Sequence, residues 1–245
     1  YNLPDSTIKA GNKYMDATLY TQNGLSTNVI TNAGAFKPDL VWIKSRSGTG
    51  KWNNLVDSVR GGSVTVYSNS TNAEGTDNYI NSFNSNGFTL NIGDTGTNSS
   101  SGITQVAWQW QAGQGTTSSN TSGSITSTVS VNATAGFSIV TYTGTGANAT
   151  VGHGLGVAPK MIIVKSRTVV QNWIVYHASV GNTGALFLNA TNSTDTNSVY
   201  WQNTTPTSAV FSLGTNLAGN TNGSTNVAYC FAEIAGFSKF GSYTG

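Results

Sequence analysis

Cysteine occurs once in 245 residues, at Cys230, so an intrachain disulfide framework is excluded. The residue sits in the apolar alternation Val227, Tyr229, Phe231, where a small buried hydrophobe is expected. Histidine is nearly as scarce, with only His153 and His177. No His-x-x-x-His or Cys-x-x-Cys spacing is present, and a zinc or other transition-metal site would have almost no ligands to draw on. Charged residues make up 8% of the chain, against roughly 25% in an average soluble domain. A net charge of +2, dispersed along the sequence, produces no field that would gather phosphates, and nucleic acid is not an expected partner. Apolar runs of the roughly 18–20 residues needed to cross a bilayer are missing, as is a basic segment followed by an apolar one at the start. The chain is therefore expected to be soluble without membrane insertion, any secretion signal lying outside this stretch.

Helical patterning is also lacking. Apolar spacing of i, i+3, i+4, i+7 is never sustained for three turns, and Ala, Leu, Glu and Lys are too few to favour helix. Signatures of nucleophilic catalysis are missing too, since no Gly-x-Ser-x-Gly elbow occurs and Cys230 lies in no nucleophile motif. The carboxylates Asp5, Asp16, Asp39, Asp57, Glu74, Asp77, Asp94, Asp195 and Glu233 are too scattered to nominate a glycosidase pair. Gly48-Thr49-Gly50-Lys51 imitates a phosphate loop, but Ser45 replaces the first glycine and Trp52 follows the lysine, so a hairpin turn is predicted. Gly152-x-Gly154-x-Gly156 has neither the third spacing nor a following helix and is expected to be a glycine-rich loop. The Asp94 and Asp195 loops carry acid that calcium could use, yet no ligand spacing of a known calcium loop is present; no cofactor is expected.

What the chain does contain is itself, twice. Pro38-Asp39-Leu40-Val41-Trp42-Ile43-Lys44-Ser45-Arg46 returns 121 positions later as Pro159-Lys160-Met161-Ile162-Ile163-Val164-Lys165-Ser166-Arg167. The same offset carries Val106-Ala107-Trp108-Gln109-Trp110 onto Val227-Ala228-Tyr229-Cys230-Phe231, Trp52 onto Trp173 and Leu55 onto Tyr176. It sets Asn32 against His153 and Val56 against His177, so neither histidine is shared between copies. Repetition at this period indicates tandem copies of one unit. Short β-branched or aromatic segments bounded by Gly, Asn, Ser or Pro run throughout, from Asp16–Thr21 to Asn226–Glu233. The expected fold is all-β, with two tandem antiparallel β-sandwich or jelly-roll-like domains. Leu40–Ile43 and Met161–Val164 are apolar at every position, as for a central strand covered on both faces.

Boundaries follow from composition. Residues 1–15 precede the repeat as the tail of another domain, 16–113 form the first copy and 135–235 the second. The Gly/Ser/Thr-rich stretch 114–134 is expected to be a linker, although Ile125, Val129 and Val131 begin a strand-like alternation. Residues 236–245 echo Gly136-Phe137-Ser138 and Tyr142-Thr143-Gly144 and look like the start of a third copy.

Two residue groups are candidate sites. Trp52, Trp173, Tyr176, Trp201 and Tyr79 lie near Asn- and Gly-rich turns, where exposed rings beside amides would make glycan-stacking platforms. Lys44 with Arg46, and Lys165 with Arg167, close the central strand of both copies, and their recurrence points to a structural ion pair or cap with Asp57 or with loop carbonyls. Trp108 and Trp110 alternate with Ala107, Gln109 and Gln111, which puts both indoles on one face, expected to pack in the core.

Several strings together carry a family resemblance: Asp16-Ala17-Thr18-Leu19-Tyr20-Thr21-x-Asn23-Gly24, the Pro38–Arg46 strand, Asp57-Ser58-Val59-Arg60-Gly61, Ser82-Phe83-Asn84-Ser85-Asn86-Gly87-Phe88 and Val106–Gly113. The chain resembles a tandem β-domain family of unassigned function found in virion proteins of tailed bacteriophages, often after a SPRY or concanavalin-like lectin domain. The second copy departs at Ala178-Ser179-Val180-Gly181-Asn182. The resemblance implies a non-catalytic structural and host-attachment protein on the virion surface, as fibre, tail-associated adhesin or head decoration. Its expected partners are other virion proteins, a host cell-surface glycan and further copies of itself, a trimer being favoured. The alternatives are a carbohydrate-binding repeat of a bacterial surface protein and, third, a polysaccharide depolymerase.

Overall fold

The computed structural model describes residues 8, 10–48, 52–92 and 96–244. These form antiparallel sheets with very little helix. The chain divides into two compact units, one of residues 10–115 and one that takes in residues 116–245 together with Ile8.

The first unit contains β1 (Met15–Thr21), β2 (Thr27–Thr31), β3 (Leu40–Ser45), β4 (Asn54–Asp57), β5 (Val66–Tyr67), β6 (Ile80–Asn84), β7 (Gly87–Asn91) and β8 (Thr104–Trp110). Five strands pair in the order β1-β8-β3-β4-β5, and β2-β7-β6 form a second, three-stranded sheet. Val41, Ile43, Val56 and Ala107 from the larger sheet share a core with Ile30, Ile80, Phe88 and Leu90 from the smaller one. The alternation of each strand thus sends one face inward, as the pleat requires. β3 lies between β8 and β4, with Leu40 opposite both Trp110 and Asp57.

The second unit contains β9 (Ser118–Asn120), β10 (Ser127–Asn132), β11 (Phe137–Thr143), β12 (Ala149–Gly152), β13 (Met161–Ser166), β14 (Ile174–His177), β15 (Gly184–Phe187), β16 (Asp195–Thr196), β17 (Val210–Leu213) and β18 (Thr225–Phe231). Eight pair in the order β16-β15-β14-β13-β18-β11-β10-β9, while β12 and β17 pair with each other. Val140, Ile162, Val164, Ile174 and Cys230 of the large sheet pack with Val151, Phe211 and Leu213 of the small one. β13 is again central, with Met161 opposite Phe231 and His177.

Three expectations need correction. Residues 114–134 are not only a connector, since β9 and β10 extend the eight-stranded sheet and Val129 and Ile125 are buried. Alternating Val129 and Val131 supply the apolar face that the flanking Ser and Thr lack. Helix is present in single turns, α1 (Ser198–Trp201) and α2 (Leu217–Asn220), because Asn197 and Asn216 cap them by accepting from the amides of Val199 and Ala218. Residues 236–244 form no strand; Ile234 bridges Ser238, and Phe240 packs on Phe231.

Candidate functional site

Burial decides the fate of the expected stacking platforms. Trp173, Trp201, Tyr79 and Tyr176 are 0%, 2%, 1% and 3% exposed, and a buried ring offers no face to a sugar. Trp201 donates its indole N–H to the Gly184 carbonyl at 3.1 Å and meets Tyr176 edge-on. Trp52 is half-buried and tilted against Tyr67, with ring centroids 5.2 Å apart. These rings are core and turn-packing residues, drawn inward by apolar area that the small neighbouring residues cannot supply.

The cationic strand ends differ between the two units: Lys165 caps a loop carbonyl as expected, whereas Lys44 and Arg46 do not pair with Asp57. Lys44 and Arg46 are exposed, and Asp57 is held by Arg60 instead. The Arg60 Nε donates to Asp57 Oδ2 at 2.6 Å, Nη1 to Glu74 Oε2 at 2.7 Å and Nη2 to the Leu55 carbonyl at 3.1 Å. Both Arg60 and Asp57 side chains are fully buried. Asp57 Oδ1 further accepts from the amides of Val59 and Arg60, closing the turn after β4. The turn after β14 is closed in the same manner by His177, whose Nδ1 accepts from the amide of Ser179. His177 stands opposite Met161 as Asp57 stands opposite Leu40. The loop between β3 and β4 is one residue longer than that between β13 and β14, and an offset of 121 sets Asp57 against Ala178. In the second unit Lys165 is buried and donates to the Gln171 carbonyl at 3.0 Å, and burial lowers its ammonium pKa to about 8. Arg167 is half-buried beside Thr126, Thr128, Thr141, Thr143 and Thr225, along a shallow polar groove of about 180 Å³.

Several of the buried polar residues that sequence reasoning passed over are amides. On β8 the inward face is Gln105, Ala107 and Gln109, while Trp108 and Trp110 lie half-buried on the opposite face, where Trp108 meets Trp42 edge-on. A period of two places both indoles together without saying which side is inside. Gln109 donates to Thr18 Oγ1 at 2.7 Å and accepts from Asn32 Nδ2 at 3.1 Å. Asn32 then clamps its own loop, donating to the Phe36 carbonyl and accepting from the Phe36 amide. Just past β12 in the second unit stands His153, fully buried, whose Nδ1 accepts from the Leu155 amide. Burial lowers the His153 pKa, partly opposed by its bond to the Thr207 carbonyl.

Asp39 organises a second loop. Fully buried, it accepts from the amides of Ala112 and Gln114 at Oδ2 and from the Gly115 amide and the Ser58 hydroxyl at Oδ1, all within 2.6–2.8 Å. Together the loops held by Asn32 and Asp39 wall a groove of about 320 Å³ lined by Lys13, Tyr14, Gly34, Phe36, Gln111 and Gln114. Asp94 lies outside the described residues. Asp195 accepts from the Tyr200 hydroxyl at 2.6 Å. Among the described residues no group of three or more His, Cys, Asp or Glu side chains is placed to hold a metal ion, and no helix is long and apolar enough to cross a membrane.

With this geometry established, comparison with known proteins gives one match, to a domain of unknown function, DUF7483, over residues 10–245. The chain belongs to the DUF7483 family. The match runs through both compact units without a break. Neither a curated protein nor a solved structure matches the chain.

Proposed function

We propose that this DUF7483 chain is a non-catalytic structural and host-attachment protein of a tailed-bacteriophage particle, built from two copies of one β-sandwich and assembled as a homo-oligomer, a trimer. The observation that carries the reading is that buried and half-buried ionisable groups hold turns together. Asp57, Arg60 and Glu74 form one knot, Asp39 is engaged by four donors, and Asp195 is bound to Tyr200. Side chains engaged in this way stiffen a scaffold, and Asp39, with four donors on its two oxygens, has no acceptor site left for proton transfer.

Duplication is supported by equivalent pairings. Leu40 opposite Trp110 and Met161 opposite Phe231 are separated by 121 positions in both partners. Buried Asn98 accepts from the Asn23 amide and donates to the Leu25 carbonyl; buried Asn220 does the same with Thr145 and Ala147, 122 positions on in every case. Tyr20 donates to the Thr97 carbonyl and Tyr142 to the Gly219 carbonyl, again 122 apart. A virion role draws further support from the sequence resemblance described above, and from a surface made of hydroxyls and amides instead of charges, which suits a persistent extracellular scaffold.

The test is to purify intact particles from the source and look for the chain by mass spectrometry and by antibody labelling. A stoichiometric, surface-labelled component is expected. A chain found only on the bacterial surface would move the assignment to a cell-surface carbohydrate-binding repeat.

A further inference from the structure

We propose that the groove between the Asn32 and Asp39 loops binds an acidic saccharide, with the apolar face of a uronic-acid ring against Tyr14 and its carboxylate toward Lys13. The proposal rests on the attachment role above and supplies its ligand class. Its volume of about 320 Å³ lies at the small end of the roughly 300–1,000 Å³ typical of small-molecule sites. Tyr14 is half-buried, so part of its ring is open to the groove, whereas Phe36 beneath is buried. An aromatic face partly exposed beside amide groups suits the C–H face and hydroxyls of a pyranose. Gln114 is exposed and Gln111 is nearly buried, so one amide can reach out and the other is fixed by the wall.

Both walls are pre-organised by side chains that hydrogen-bond the loop backbone. Asn32 holds the Phe36 side, while Asp16 accepts from the Ala33 amide at 2.8 Å. Gly34 allows that loop to lie on the Asn12 carbonyl, since a Cβ there would come within 1.7 Å of its oxygen. Asp39 holds Gln114 and Gly115. Two of the described ammonium groups flank the groove, Lys13 in its lining and Lys37 against Gly115. The nearby carboxylates Asp16 and Asp39 are already engaged by backbone amides, which favours an anion over a cation as the guest. The second unit has Lys160 where Asp39 stands, exposed, so the binding is confined to the first unit.

The test uses the whole chain with an oligogalacturonate and the corresponding neutral galactan oligomer, read by calorimetry and by amide shifts at Gly34 and Gln114. The uronate is expected to bind with millimolar or tighter affinity, and the neutral oligomer several-fold more weakly. Lys13→Glu and Gln114→Ala, both at exposed positions, should each weaken uronate binding about tenfold, and Arg167→Ala in the second unit should leave it unchanged. The proposal is overturned if no uronate binds at roughly 10 mM, if both oligomers bind equally, or if the Lys13 and Gln114 variants bind as the parent does. A chain that is in particles yet binds no uronate sinks only the saccharide site. One that binds uronate but is missing from particles sinks only the virion assignment.

Discussion

Replacing Asn220 by alanine should cost the second unit about 3 kcal/mol. The side chain is 1% exposed; its Nδ2 donates to the Gly214 carbonyl at 2.7 Å and the Ala147 carbonyl at 2.6 Å, and its Oδ1 accepts from the Thr145 amide at 2.8 Å. The Gly214 bond is wholly buried, so its loss leaves an orphaned carbonyl and accounts for 1–2 kcal/mol on its own, by an order-of-magnitude count of about 1 kcal/mol for each of the other two, which water can partly replace. For a unit of this size that loss corresponds to a melting point lower by roughly 10 °C. Differential scanning calorimetry of the whole chain measures it, and hydrogen exchange should place the added opening at β11, β12 and β18. Asn220→Asp is the sharper variant, because it keeps shape and acceptor but sets carboxylate oxygens against two carbonyls. It should cost at least as much. If Asn220→Asp melts like the parent, or Asn220→Ala loses less than about 1 kcal/mol, the asparagine only fills space and the hydrogen-bond reasoning fails.

Arg60→Met leaves Asp57 buried without its partner and should destabilise the first unit by about 3–5 kcal/mol in urea unfolding, with Arg60→Lys failing to restore it, because a single ammonium cannot reach Asp57, Glu74 and the Leu55 carbonyl together. Asn54→Ile should stabilise by about 1–2 kcal/mol, since among the described residues neither polar atom of the buried Asn54 side chain has a hydrogen-bond partner and a buried isoleucine, Ile174, opens β14 as Asn54 opens β4. His153 has a folded pKa below its ordinary 6.5, so its contribution is fully present above pH 6.5 and is lost as pH falls through the folded value, at a slope of up to about 1.4 kcal/mol per pH unit. A His153→Asn variant, which copies Asn32, should flatten that part of the stability profile. Burial raises the Cys230 thiol to about 12, so it should resist a thiol reagent at pH 8 in the native protein and react promptly in denaturant.

The β content and the central strands were legible because β-branched runs bounded by turn residues carry a strong local signal, and because β3 and β13 sit in the same register against β8 and β18. The single-residue difference between the β3–β4 and β13–β14 loops was not legible, since a rigid offset has no knowledge of loop length, and that offset sets Asp57 against Ala178 and not against His177. Face assignment on β8 failed for a different reason. Trp108 and Trp110 are the larger apolar residues, but Gln105 and Gln109 find Ser45, Thr18 and Asn32 across the sheet and so satisfy themselves inside. Of the aromatic residues chosen as glycan platforms near Asn-rich turns, Trp173, Trp201, Tyr79 and Tyr176 are core and Trp52 is half-buried, while the groove takes Lys13 and Tyr14 from outside the repeat and gave no periodic signal. Asp39 could have been singled out, as a carboxylate next to Pro38 at the head of an otherwise apolar strand.

The most direct measurement is a cryo-EM map of intact particles from the source, searched for two successive β-sandwich densities of this chain at the tail, fibre or head surface. The account predicts that both are present, with Lys13 and Tyr14 of the first turned toward solvent. Particles that lack such density, or that bury the Lys13–Gln114 groove against another virion protein, would contradict it.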